Sequence, residues 1–229
     1  MTGRFITFEG GEGAGKSTQI ERLRRRLEAA SREVLSTREP GGSPQAEKIR
    51  SFLLEGRAKH LGPFAEALLF TAARIDHIDR TIVPALERGV HVLCDRFADS
   101  TKAYQGAFGQ VDAALIQSLE RTALRDLRPD VTFILDLPAE VGLSRVRQRL
   151  ADRREGADRF EQEDIAFHRT LRDAFLAIAK AAPERCVVID ADRDPDEVEE
   201  AIWATLRERL PELTSGEARP SEAACDHVA

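Results

Sequence analysis

An α/β fold on a doubly wound, five-stranded parallel sheet is what this sequence predicts, and three observations carry the expectation. Five short apolar runs recur along the chain, too continuous for strands with one wet face and too short for ordinary helices. Stretches of helical periodicity separate them, the alternation that makes successive strands parallel. The first run also leads directly into a glycine-rich turn that opens a helix.

In chain order, Phe5 to Phe8 is the first expected strand, and the helix-like stretch Ser17 to Ala30 follows its glycine turn. Val34 to Thr37 is the second strand, with helical patterns over Gln45 to Leu54 and Phe64 to Arg88. Val90 to Asp95 is the third, followed by a helix over Asp112 to Leu127; Val131 to Leu137 is the fourth, followed by helices over Ala139 to Leu150 and Glu163 to Ala181. Cys186 to Asp190 and a helix over Asp196 to Leu210 complete a single domain, residues 1–210. Past Pro211 the composition turns to Ser, Gly, Glu, Ala and Pro without periodicity, so residues 211–229 are expected as a disordered tail. Ligands of such a sheet sit at the carboxyl ends of the strands, which gathers Glu9 to Ser17, Arg38-Glu39-Pro40, Asp95-Arg96 and Asp136 at one edge.

Composition narrows the class. The 229 residues are 42% hydrophobic and 32% charged, ordinary for one soluble enzyme domain. A net charge of −6, with no basic block longer than Arg24-Arg25-Arg26, argues against general nucleic-acid binding. No apolar run approaches the roughly 20 residues of a membrane span. Met1-Thr2-Gly3-Arg4 carries no signal pattern, so a cytoplasmic address is expected. Cys94, Cys186 and Cys225 are odd in number and widely spaced, which disfavours a disulfide or zinc framework.

Gly10-Gly11-Glu12-Gly13-Ala14-Gly15-Lys16-Ser17 fits G-x-x-x-x-G-K-[ST], a phosphate-binding P-loop in the strand, loop and helix order that the motif requires. Gly10, Gly13 and Gly15 let successive amides converge on phosphate oxygens, and the following helix adds its N-terminal N–H groups, Thr18 included. Lys16 is expected to reach the β/γ-phosphates, facing solvent while the site is empty, and the Ser17 hydroxyl to ligate Mg²⁺. The alternative, a glycine turn with an ordinary helix cap, is weakened by the flanking strand and helix.

Absences discriminate among nucleotide users. A GTPase needs an Asn-Lys-x-Asp guanine reader and an Asp-x-x-Gly switch, and the chain has no Asn and no Asp-x-x-Gly. A hydrolytic motor follows its strand-end Asp with Glu, whereas Val92-Leu93-Cys94-Asp95 is followed by Arg96. A planar guanidinium matches phosphate oxygens, so this arrangement suits transfer to an acceptor phosphate. Phe70 and Arg74, four apart on one expected helix, place a ring and a guanidinium on the same side, where a nucleobase could stack and hydrogen-bond. By spacing alone, Phe70 reads more simply as core filler and Arg74 as a solvated face. Asp95 to Gly106 packs carboxylates, Arg96, hydroxyls, Tyr104 and Gln105 beyond a strand end. Arg145, Arg147, Arg149, Arg153, Arg154 and Arg159 lie either on a solvated face or on a lid, about residues 145–160, that covers the donor phosphates and excludes water.

Together these motifs resemble the bacterial thymidylate kinase family, from about Arg4 to Leu210. The likeness is carried by Phe8 to Thr18, Thr-Arg-Glu-Pro-Gly-Gly at Thr37 to Gly42, Phe70 to Arg74, Asp95-Arg96, Ser100 to Gly106 and Arg-x-Glu at Arg159 to Glu161. The resemblance implies phosphorylation of dTMP by ATP to give dTDP, with Mg²⁺, in a homodimer joined through helices on one sheet face. It implies that Gly10, Gly11, Glu12, Gly13, Ala14, Gly15, Lys16, Ser17 and Thr18 bind ATP, with Lys16, Arg96, Arg153 and Asp95 catalytic and Ser17 and Asp95 at the metal. Glu12 would take the deoxyribose 3′-hydroxyl, Phe70 stack on thymine, Arg74 donate to a thymine carbonyl, Gln105 touch the base edge and Tyr104 crowd the 2′ position. Arg96 would hold the acceptor phosphate, assisted by Arg38, with Ser100 beside it. Arg153 is the first choice for the donor contact, with Arg149 and Arg154 as alternatives. A P-loop kinase for another deoxynucleotide or deoxynucleoside, and a nucleotide-binding regulator without turnover, stay open at this point.

Overall fold

The computed structural model describes residues 3–153 and 159–215. Five strands, β1 (Phe5–Glu9), β2 (Val34–Arg38), β3 (His91–Asp95), β4 (Val131–Asp136) and β5 (Cys186–Asp190), form one sheet in the order β2-β3-β1-β4-β5. Every pairing is parallel. Its helices are α1 (Lys16–Ala29), α2 (Pro44–Leu54), α3 (Pro63–His77), α4 (Val83–Glu87), α5 (Ala98–Thr101), α6 (Ala113–Leu124), α7 (Ala139–Arg153), α8 (Ile165–Ala181), α9 (Pro195–Arg209) and α10 (Pro211–Thr214).

The sheet is apolar on both sides because helices cover both. On one side Ile6, Phe8 and Phe133 meet Leu23 and Leu27 of α1 and Ile202 and Leu206 of α9. On the other, Phe5 and Val92 pack with Ile82, Leu86 and Phe97, and the Phe5 and Phe97 rings meet edge-on at 4.9 Å. Each such fully buried side chain stabilises the fold by about 2 kcal/mol. The parallel register aligns Arg38 with Asp95 and Asp95 with Phe8, so the strand ends open on one edge.

Three expectations are corrected. The helix expected over Phe64 to Arg88 is divided: α3 widens into a π-helical turn at Ile78–Ile82 before α4. Pro84 has no N–H to return to the preceding turn, and the wider turn accommodates that loss. β2 is an edge strand with Val34 and Leu35 only half-buried. The expected tail starts too early, because Pro211–Thr214 is helical, Leu213 is fully buried in the core and Glu212 pairs with Arg4 at 2.6 Å. A single buried leucine in a short polar stretch leaves no periodicity to read. The remainder, 216–229, lies outside the described residues.

Candidate active site

The glycine turn has the backbone its chemistry requires. Gly10 and Gly13 adopt φ of 132° and 73°, and a Cβ would meet Leu135 O at 2.5 Å and Gly142 O at 2.2 Å respectively. Both the dihedral and the space exclude larger residues. Lys16 departs from expectation: it is only 7% exposed, and its Nζ donates to Gly10 O (3.1 Å) and Gly11 O (2.8 Å). A buried ammonium needs acceptors, and the carbonyls of its own loop are within reach. Burial and the Arg96 charge lower its pKa, against Asp95, Glu12 and Glu9.

Ser17 and Asp95, both expected at the metal, lie together, the Ser17 hydroxyl donating to Asp95 Oδ2 at 2.7 Å. Among the described residues no cluster of three His, Cys, Asp or Glu could hold a metal by itself. A hydroxyl and a carboxylate fit Mg²⁺, which keeps water and takes substrate phosphates as its other ligands.

Arg96 joins the two halves of the site. Its backbone stands at φ 67°, a left-handed conformation rare for a residue with a Cβ. Its guanidinium reaches Glu12 Oε1 (2.7 Å), Gly10 O (3.0 Å) and Ser100 Oγ (3.4 Å) and lies 5.2 Å from the Tyr104 ring. The Tyr104 hydroxyl donates to Glu12 Oε1 at 2.7 Å. Burial alone would raise the Glu12 carboxyl, but Arg96, Lys16 and the Tyr104 hydroxyl outweigh it and hold Glu12 at about 2.

Arg74 is not on a solvated face. At 4% exposure, its Nε donates to Glu39 Oε2 (2.7 Å) and its Nη2 to Phe97 O (3.1 Å) and Thr101 Oγ1 (3.0 Å). Nη1 has no partner among the described residues. Glu39 Oε1 lies 3.1 Å from His77 Nδ1, and His77 Nε2 lies 2.7 Å from Thr37 Oγ1. Sequence reasoning placed Glu39 at the ligand edge without giving it a role, and missed His77. It also gave Glu9 no role. That fully buried carboxylate accepts from Phe97 N (2.8 Å), Ser100 N (3.3 Å) and Ser100 Oγ (2.6 Å). Burial, then the neighbouring Asp99 charge, push it up to about 7 against those hydrogen bonds and Arg96.

A cleft of about 810 Å³ connects these groups: Glu12 to Thr18, Arg38, Phe70, Arg74, Asp95, Arg96, Ser100, Tyr104 and Gln105 all line it. Phe70 is half-buried at its wall, 6.5 Å from Phe160, which meets the Tyr104 ring edge-on at 5.1 Å. Arg38 is mostly exposed and pairs with Glu47 at 3.1 Å. Asp136, expected at the same edge, is taken by Arg172 at 2.7 Å. Of the arginines read as a lid, Arg145 and Arg149 line the cleft. Arg149 pairs with Glu161, and Arg145 donates to Ala191 O at 3.1 Å. Arg159 pairs with Glu66, while Arg147 is exposed and donates to Leu143 O. The Arg153 side chain and all of Arg154 lie outside the described residues. Arg193, which also lines the cleft, carried no motif by which to find it.

The chain matches the family model for thymidylate kinase over residues 8–202. It is 60% identical over 208 residues to a thymidylate kinase of Nitrobacter winogradskyi, covering 90% of this chain and 89% of that one. It is 57% identical over 210 residues to a thymidylate kinase of Bradyrhizobium diazoefficiens, covering 91% and 90%. The crystal structure of thymidylate kinase from Ehrlichia chaffeensis superposes with a TM-score of 0.72 at 33% identity, over 90% of this chain and all of that one, 100%.

Proposed function

The chain belongs to the thymidylate kinase family, phosphotransferases that use ATP to convert dTMP to dTDP, and we propose how its own residues divide that reaction. The carrying observation is the position of Arg96: one guanidinium lies against the phosphate loop at Gly10 O and against the acceptor wall at Ser100 and Glu12. A group so placed holds the acceptor phosphate beside the donor phosphates and offsets charge on the phosphoryl group in transit.

On the donor side, the amides of Gly10 to Thr18 cradle the phosphates, and Lys16 exchanges its loop carbonyls for phosphate oxygens. Ser17 and Asp95 would hold Mg²⁺, which when bound neutralises phosphate charge. Arg153 is proposed for the donor phosphates, with Arg149 and Arg154 as alternatives. On the acceptor side, Phe70 stacks on thymine, the Nη1 of Arg74 donates to its carbonyl, and Gln105 contacts the base edge. Glu12, ionised at any working pH, accepts the 3′-hydroxyl, while the Tyr104 ring crowds the 2′ position and Arg38 assists Arg96. No catalytic base is required, because the attacking phosphate oxygen is already ionised.

A homodimer is supported by an exposed apolar surface on two helices that pack together: Phe64 and Leu68 of α3 are 44% and 43% exposed, and Leu115 of α6 is 47% exposed. A second copy of this chain is the proposed occupant, and sedimentation should show twice the monomer mass. Among the described residues no helix is long and apolar enough to cross a membrane, consistent with the cytoplasmic placement proposed here.

The test of the acceptor is ADP release measured across dTMP, dUMP, dCMP and thymidine. dTMP should be used best; equal use of dCMP or thymidine would reassign the acceptor.

A further inference from the structure

We propose that Glu9 is the positioning residue of the acceptor-phosphate site, holding Arg96 and Ser100 in place beside the phosphate loop. The proposal rests on the role assigned above to Arg96.

Glu9 closes β1, the central strand, one residue before the glycine turn, and its side chain is fully buried. A buried carboxylate is costly unless donors surround it. Its three donors, the N–H groups of Phe97 and Ser100 and the Ser100 hydroxyl, all belong to the segment just after Arg96. Ser100 Oγ lies 3.4 Å from Arg96 Nη1, and Nη1 donates to Gly10 O at 3.0 Å. The contacts therefore close a ring, Glu9 to Ser100 to Arg96 to Gly10, and Gly10 is bonded to Glu9 along the chain.

Arg96 needs that support. A left-handed backbone at a residue with a Cβ persists only where its surroundings over-determine it. Of the other carboxylates close by, Asp99 is engaged by Arg185 at 2.7 Å and Lys102 at 3.2 Å, Asp95 takes the Ser17 hydroxyl, and Glu12 holds the Arg96 side chain and the Tyr104 hydroxyl, each at 2.7 Å. Glu9 is thus the acidic group that ties the backbone of Phe97 and Ser100 to the end of β1, without itself lining the cleft.

Glu9→Gln keeps the shape, removes the charge and turns the oxygen that takes the Ser100 hydroxyl into an N–H₂, which reverses that hydrogen bond. KM for dTMP should rise about tenfold while KM for ATP stays within about twofold, because one lost anchor displaces Arg96 and leaves the donor cradle alone. Loss of fold would instead lower the active fraction and leave both KM values alone. Arg96→Ala should raise KM for dTMP, and adding Glu9→Gln to it should raise it further by no more than about twofold. If Arg96→Ala leaves KM for dTMP unchanged, the assignment of Arg96 fails and this proposal with it. If Arg96→Ala raises it but Glu9→Gln does not, or the two effects multiply, Glu9 alone loses its role. Should Glu9→Gln fail to fold, amide exchange in the wild-type protein decides: the N–H groups of Phe97 and Ser100 should be as protected as those of β3, and fast exchange overturns the proposal.

Discussion

The proposed donor half of the cleft takes its geometry from one unbroken stretch, Gly10 to Thr18, whereas the proposed acceptor half draws Glu39, Arg74, His77, Arg96 and Thr101 from separate segments. In the first, backbone dihedrals do the positioning, and Gly10 and Gly13 are required by φ and by lack of space. In the second, buried charges hold one another: Arg74 is oriented by Glu39, which is oriented by His77, which meets Thr37. A cradle built from backbone tolerates side-chain changes around it. A wall built from paired charges does not, because removing one partner leaves the other buried and unpaired.

The comparison is sharpened most by Lys16→Ala, which should lower kcat by about a thousandfold through lost charge stabilisation, with KM for dTMP little changed. Steady-state kinetics that show near-normal turnover would break the donor assignment. Next, Glu39→Gln should raise KM for dTMP about tenfold and leave KM for ATP alone, as measured by varying each substrate in turn. An equal rise in both would mean the two halves are not separately built. Arg153→Ala should lower kcat about tenfold with small changes in either KM, and a normal kcat would move the lid role to Arg149 or Arg154. Tyr104→Ala should raise turnover of the ribonucleotide relative to dTMP by a few-fold, and an unchanged ratio would remove Tyr104 from sugar selection.

The smallest effect concerns stability. Glu9 sits at about 7, above the ordinary 4.5, so the folded protein holds a proton that the unfolded chain has released between those values. Stability from this group is present below pH 4.5 and lost as pH rises through 7. Thermal melts of the wild type should therefore fall a few degrees relative to Glu9→Gln between pH 5 and pH 8. Parallel melting curves would show that Glu9 does not titrate there.

Within α3, the four-residue spacing of Phe70 and Arg74 was legible, but whether Arg74 met solvent or a ligand was not. Its partners lie at Glu39, Phe97 and Thr101, and no local pattern connects them. Lys16 was legible as the loop lysine, yet its burial against Gly10 and Gly11 was not.

Alternating apolar and helical stretches, the glycine turn and the Asp95-Arg96 pair settled the α/β class and the family resemblance from sequence alone, and pointed to the glycine turn as the nucleotide loop. These features follow from local backbone preference and hydrophobic period, which act between near neighbours. Tertiary structure alone decided the clamp at Glu9, the Glu39–His77 support of Arg74, the widened turn before α4 and the packing of Leu213. Each of these depends on burying a group against residues remote in the chain, and the cost of leaving it unpaired or in water is set by the assembled fold.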